Sequence, residues 1–311
     1  MRDDRHSSAG AMPQETGILE FLRICDSLGT ADMADAGVFE QRRRYEALSA
    51  RFSRPLPPGL NTEDAPIGTV PTRSYRPARL RSACKLLYMH GGGFIVGSLD
   101  SHHAICADIA EAAGAELFAV DYRLAPEHVW PAQSDDAFTV LKLLLGDGEK
   151  VVVIGDGAGG NVAAGLTIRA RDEELTGIAG QVLIYPMLGG DLVSGSYAEM
   201  ALAPGLTTDD VVYWQAILKA PADEPVARPL IAASLAGLPP AFISAAHFDP
   251  LRDDGRLYAG RLAAAGGEVW FREEAQMVHG WLQARHVSTA AGAAFDRLCL
   301  ATARFAGVPG S

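Results

Sequence analysis

The chain is predicted to fold as an α/β protein, a mostly parallel central sheet flanked by helices, with a helical cap over one end. Three observations carry this expectation. Short apolar runs alternate with stretches of helical apolar spacing, glycine clusters follow two of those runs, and two helix-like regions interrupt the alternation. The runs are 86–89 (LLYM), 117–121 (LFAVD), 151–155 (VVVIG), 181–185 (QVLIY), 241–245 (AFISA) and 268–272 (EVWFR), each short enough for a buried strand. Apolar residues three and four apart predict helices over 101–113, 134–145, 159–172, 251–265 and 288–305. Neighbouring parallel strands need long crossovers, and this alternation supplies them.

The first interruption is the N-terminal region. Segments 15–28 and 37–52 look helical without a strand partner, offering Ile18, Leu19, Phe21 and Leu22, then Val38, Phe39, Tyr45 and Leu48, as apolar faces before the breaker-rich RPLPPG at 54–59. The second is 188–235, where Thr207, Thr208, Asp209 and Asp210 form a good helix start ahead of VVYWQAIL. The expected organisation is an N-terminal cap segment, 1–54, a sheet domain made of 55–187 and 236–311, and a cap insertion, 188–235.

The 311 residues, 48% hydrophobic and 21% charged, allow a sizeable core and lie far from the composition of disordered chains. Twenty-seven Lys and Arg against 38 Asp and Glu give a net charge of −11, which repels phosphate backbones and anionic lipid heads, so no nucleic acid partner is expected. No stretch is apolar for long enough to span a membrane, and the charged start MRDDRHSSAGAMPQETG lacks the apolar core of a secretory signal. The expected address is the cytoplasm. Cys25, Cys84, Cys106 and Cys299 are widely spaced and read as free thiols. His102 and His103 adjoin in a helix start without a carboxylate or thiol partner at ligand spacing, so neither metal nor cofactor is expected. The run Gln41-Arg42-Arg43-Arg44 reads as a solvated helix face.

Two glycine clusters point to chemistry. His90-Gly91-Gly92-Gly93-Phe94 follows the run LLYM, and glycines at a strand end let main-chain N–H groups face a ligand, as an oxyanion hole requires. A plain turn or a phosphate loop is the competing reading, weakened because no Gly-Lys-Ser/Thr follows. Gly155-Asp156-Gly157-Ala158-Gly159-Gly160-Asn161 has the frame of a nucleophile elbow, G-x-S-x-G, with Gly157 at the position of the serine. The same residues match G-x-G-x-x-G. A dinucleotide site, however, should follow the first strand, and Asp172, Glu173 and Glu174 fall in a helix end or loop instead of at a strand end. Asp249, after AFISA, and His279, after EVWFR, complete the order nucleophile, acid, base at C-terminal strand ends.

With HGGGF at 90–94, DYRLAPEH at 121–128, GDGAGGN at 155–161, FDPLRDDG at 248–255 and VHG at 278–280, the chain resembles the hormone-sensitive-lipase-like carboxylesterases of the α/β-hydrolase fold from about residue 70 to 285. The resemblance implies a catalytic α/β-hydrolase domain under a cap built from the N-terminal segment and the insertion. It also implies Asp249 as the acid, His279 as the general base, and Gly92, Gly93 and Ala158 as oxyanion-hole donors. A small ester or related carbonyl compound is the implied ligand, a homodimer is plausible, and Asp121, Arg123 and Glu127 would form a local charge network. Tyr197, Tyr213 and Trp214 could line an acyl pocket or simply pack the cap.

The departure falls on the nucleophile. Without a hydroxyl at Gly157 the acyl-enzyme route cannot run, and Ser98, Ser101 and Ser134 lie outside the elbow. Glycine adopts the elbow conformation freely, whereas a residue with Cβ tolerates it at a cost of about 1–3 kcal/mol. Three accounts stay open: an esterase deliberately disabled by substitution, a ligand-binding relative that has lost hydrolysis, or serine-free chemistry by the His279–Asp249 pair with the oxyanion hole.

Overall fold

Six apolar runs become the parallel part of one sheet: β3 (Lys85–Met89), β4 (Leu117–Val120), β5 (Val151–Asp156), β6 (Ile178–Ile184), β7 (Ala241–Phe248) and β8 (Val269–Val278). The computed structural model describes residues 12–29, 36–146 and 148–308. Most of the charged N-terminal stretch therefore lies outside the described residues. Two strands were not expected, β1 (Asn61–Asp64) and β2 (Thr72–Arg76), and they add an antiparallel edge, giving the order β1-β2-β4-β3-β5-β6-β7-β8. Their sequences, NTED and TRSYR, carry almost no apolar run: every residue of the edge strand β1 is exposed, and β2 buries only Thr72 and Tyr75. The sheet is the mostly parallel, helix-flanked one expected of the α/β-hydrolase fold.

Side-chain alternation sorts the core onto two faces. Val152 and Ile154 of β5, with Leu86 and Tyr88 of β3, face a cluster containing α3 (His103–Ala113) and α9 (Thr289–Phe305). Val151, Val153, Leu87 and Met89 face α4 (Ala132–Leu145), α5 (Ala158–Asp172) and α8 (Arg252–Ala264). Both faces of β5 are buried along its whole length, which is why its run is continuously apolar.

The irregular regions fold as helices. In the N-terminal region α1 (Thr16–Ser27) and α2 (Val38–Phe52) form, and in the insertion α6 (Ser196–Glu199) and α7 (Thr208–Leu218). Thr207 and Asp210 form a reciprocal capping box at the start of α7. The QRRR face is not solvated throughout. Arg42 donates from Nε to Ile95 O at 2.8 Å, from Nη2 to Ala125 O at 3.1 Å, and in a fork to the Glu127 carboxylate, tying α2 to the loops after β3 and β4. Nor do Asp121, Arg123 and Glu127 pair among themselves: Arg123 engages Asp136 from α4, and Glu127 is taken by Arg42. No described helix is long and apolar enough to cross a membrane.

Asn161 on α5 and Asp254 on α8 anchor the insertion. Asn161 Nδ2 donates to Met187 O and Ala227 O, and Asp254 Oδ2 accepts from Leu188 N at 2.6 Å, Gly189 N at 3.1 Å and Tyr197 OH at 3.1 Å. Burial pushes the Asp254 carboxyl up from 3.8 to about 7. The folded state therefore binds this proton more tightly than the unfolded state. The resulting stabilisation is fully present below the unfolded value and is lost as pH rises through about 7. Asp254→Asn removes that dependence. Its stability relative to the parent should rise between pH 4 and pH 8 by an amount on the order of 4 kcal/mol. Urea unfolding at the two pH values checks this, and an unchanged difference would refute it.

Candidate active site

The end of β5 turns into α5 through Gly157, whose φ of 54° and ψ of −114° form a sharp turn in a region that side chains adopt only under strain. Its N–H donates to Ile184 O at 2.9 Å, and its carbonyl accepts from Asn161 N and Met187 N, each at 3.1 Å, so the turn is held from both sides. The flanking glycines serve close packing. A Cβ on Gly159 would lie 2.0 Å from Met89 O, and one on Gly155 would lie 2.2 Å from Gly159 O. At these two positions the approach of the protein's own backbone accounts for the glycine without any ligand.

A Cβ on Gly157 would point into the site, 3.3 Å from His279 Nε2 and 3.5 Å from His279 Cε1. The other ring nitrogen, Nδ1, lies 2.8 Å from Asp249 Oδ2. Asp249 is fully buried, and its Oδ1 accepts from Leu251 N at 2.8 Å, which fixes the carboxylate. His279 stands at the end of β8, which runs on to Val278 instead of stopping at 272. The polar sequence REEAQ hides this extension. The imidazole also packs on Tyr185, with ring centroids 4.6 Å apart.

The glycine loop after β3 is fastened to the elbow by Asp156, whose Oδ1 accepts from Gly91 N and from Tyr88 OH, each at 2.8 Å. Among the described residues the N–H groups of Gly92 and Gly93 donate to no acceptor, and Ala158, as the first residue of α5, has no intrahelical acceptor for its own. These are the three positions that the sequence resemblance named. The ring of Trp214 from α7 lies flat on Gly93, where an added Cβ would stand 2.3 Å from Trp214 Cδ2.

Between sheet and helices lies a cavity of about 150 Å³, whose lining includes Gly92, Asp156, His279, Tyr45, Trp214 and Leu206. None of Ser98, Ser101 and Ser134 is among its lining residues. Tyr197 is absent as well, being buried with its hydroxyl on Asp254, and Tyr213 accepts from Gln41. His102 corrects an expectation. It does have a carboxylate partner, with Nε2 3.3 Å from Asp156 Oδ1 and Nδ1 2.9 Å from Ser101 Oγ. Burial opposes the Asp156 charge, but His102 and the hydrogen bonds from Tyr88 and Gly91 outweigh it and hold this carboxyl below its usual range. Sequence spacing gives no sign of the pair, because 54 residues separate its members and only the sheet order joins them. No group of three or more potential metal ligands occurs among the described residues. The four cysteines are free and buried.

A family model described as the alpha/beta hydrolase fold matches residues 86–283. The chain belongs to the α/β-hydrolase family. Carboxylesterase NlhH of Mycobacterium tuberculosis is 36% identical to this α/β hydrolase over 306 aligned residues, covering 92% of this chain and 95% of that protein. An ethyl acetate hydrolase of Pseudomonas putida is 35% identical over 74% of this chain and 78% of its own. A Pyrobaculum calidifontis esterase structure superposes with a TM-score of 0.82 at 31% identity, covering 94% of this chain and 99% of that one. By family this α/β hydrolase is a carboxylesterase-type enzyme.

Proposed function

We propose that this is a hormone-sensitive-lipase-like carboxylesterase site for small or short-chain acyl esters, in which hydrolysis is severely impaired because Gly157 holds the place of the nucleophile. One observation carries the reading: a side chain at 157 would be aimed at His279 Nε2, and glycine leaves that space without a hydroxyl. Gly92, Gly93 and Ala158 would receive the carbonyl oxygen, and Asp249 would hold the imidazole tautomer that leaves Nε2 free to accept a proton. The cavity volume, about 150 Å³, suits a ligand of about the size of benzene, hence a short acyl group. α1, α2 and the 188–235 insertion act as the cap.

A second reading is favoured by the intact His279–Asp249 contact, 2.8 Å long, facing the vacated space. There His279 Nε2 would take a proton from water as the oxygen adds to the carbonyl carbon, or from a carbon next to a carbonyl. The test is hydrolysis of a short-chain aryl ester by this chain and by Gly157→Ser. A silent parent with an active variant supports the first reading. A parent that turns over and loses turnover on His279→Ala supports the second. Ligand binding without turnover in either form points to a non-catalytic binding protein.

Trp214 walls the cavity beside Gly93 and should limit the acyl chain. In the Gly157→Ser background, Trp214→Ala is expected to raise the hexanoyl-to-acetyl ratio of kcat/KM by about tenfold. An unchanged ratio would place Trp214 outside the acyl path.

A further inference from the structure

The N-terminal helix α2 presents Gln41, Tyr45 and Leu48 to the cavity, at the spacing of one helix face. Gln41 is already occupied, its amide donating to Ala36 O at 2.8 Å and to Tyr213 OH at 2.9 Å. Leu48 is apolar. Tyr45 packs on His102, with ring centroids 6.4 Å apart, yet among the described residues its hydroxyl has no hydrogen-bond partner. His102 cannot supply one, since one nitrogen meets Ser101 Oγ and the other Asp156. Asp156 in turn is shared among Tyr88, Gly91, Tyr185 and His102. The phenol O–H is therefore, among the described residues, a donor that no protein group engages, open to whatever enters the cavity.

We propose that Tyr45 is a specificity residue, its hydroxyl donating to a second oxygen of the ligand, and that the favoured ligands are neutral esters or related carbonyl compounds with an oxo or ether oxygen besides the ester group. The proposal rests on the reading of the cavity as an ester site and names the substrate class within it. Charge selects neutral oxygen over carboxylate, because Asp156 lines the same cavity and is held in its ionised form by its partners. Burial and the neighbouring Asp156 push the Tyr45 phenol upward, so it remains a donor across the ordinary pH range. The apolar face read from the sequence thus has a polar tip directed at the ligand.

The experiment is an NMR titration of this chain and of Tyr45→Phe with ethyl butanoate, ethyl 3-oxobutanoate, 2-methoxyethyl butanoate and the anionic monoethyl succinate. One neutral hydrogen bond corresponds to about a three- to tenfold gain in affinity. The parent should show that preference for at least one of the two neutral oxygenated esters over ethyl butanoate, with monoethyl succinate binding no better than ethyl butanoate. In Tyr45→Phe the preference should fall below about twofold while the ethyl butanoate affinity is kept, which a purely packing role for the ring would not produce. No preference in the parent, a preference that survives Tyr45→Phe, or tighter binding of the anion overturns the proposal. Failure of all four esters to bind overturns the ester-site reading itself, whereas ethyl butanoate binding without an oxygen preference overturns this inference alone.

Discussion

Replacing Gly157 by serine should raise kcat for a short-chain aryl ester by between about 10³- and 10⁶-fold, the upper figure being the loss on removing such a serine from a well-studied protease. The gain is expected because the rest of the constellation is in place: Nε2 lies 3.3 Å from the Cβ to be added, Asp249 orients the ring, and the loop N–H groups have no other acceptors among the described residues. Two effects reduce the gain. The residue must adopt φ of 54°, and the imidazole must yield by a few tenths of an ångström to a Cβ at that distance. Together these cost about 1–3 kcal/mol, so the more active variant should also melt lower, by roughly 2–6 °C. Activity and melting temperature moving in opposite directions is a sharper result than either alone. A variant that melts lower and stays inactive would show that the cavity no longer accepts esters.

How much of this was legible in the sequence depends on where the information sits. The parallel strands and their helices were readable because each buries a periodic apolar face, and the elbow and glycine loop because close backbone approach admits little besides glycine. β1 and β2 escaped because the edge strand β1 is wholly exposed and β2 buries only Thr72 and Tyr75, too few apolar residues to make a run, and the last six residues of β8 escaped because an edge strand tolerates polar side chains such as Glu273 and Gln276. The site showed the same division. Asp249 and His279 follow strand ends, where open α/β sheets place reactive groups, and that position with their chain order was enough to name them as candidates. His102 with Asp156, Arg42 with Glu127, and Tyr45 facing the cavity each join segments distant in sequence. Apolar spacing shows which face of α2 is inward, but not what its phenol meets there.

In the Gly157→Ser background, His279→Ala should lower kcat by about 10⁴- to 10⁶-fold with little change in KM, since the imidazole acts on the proton of the attacking hydroxyl and not on ligand affinity. Asp249→Asn should cost on the order of 10⁴-fold, because an amide reverses the preferred tautomer and points the imidazole N–H at the nucleophile. The two variants differ in stability. His279→Ala leaves the fully buried Asp249 carboxylate with its Leu251 N–H but without the ring N–H, and removing one hydrogen-bond partner of a buried acceptor costs about 1–3 kcal/mol, so this variant should be the less stable of the two by urea unfolding. Tested on the unaltered chain, the same His279→Ala change separates the two readings of the site. If residual turnover of the Gly157 form disappears with the imidazole, His279 is activating water or a carbon acid in the vacated space. If residual turnover persists unchanged, the water reacts under oxyanion stabilisation alone, and the pair contributes nothing until a hydroxyl is placed before it.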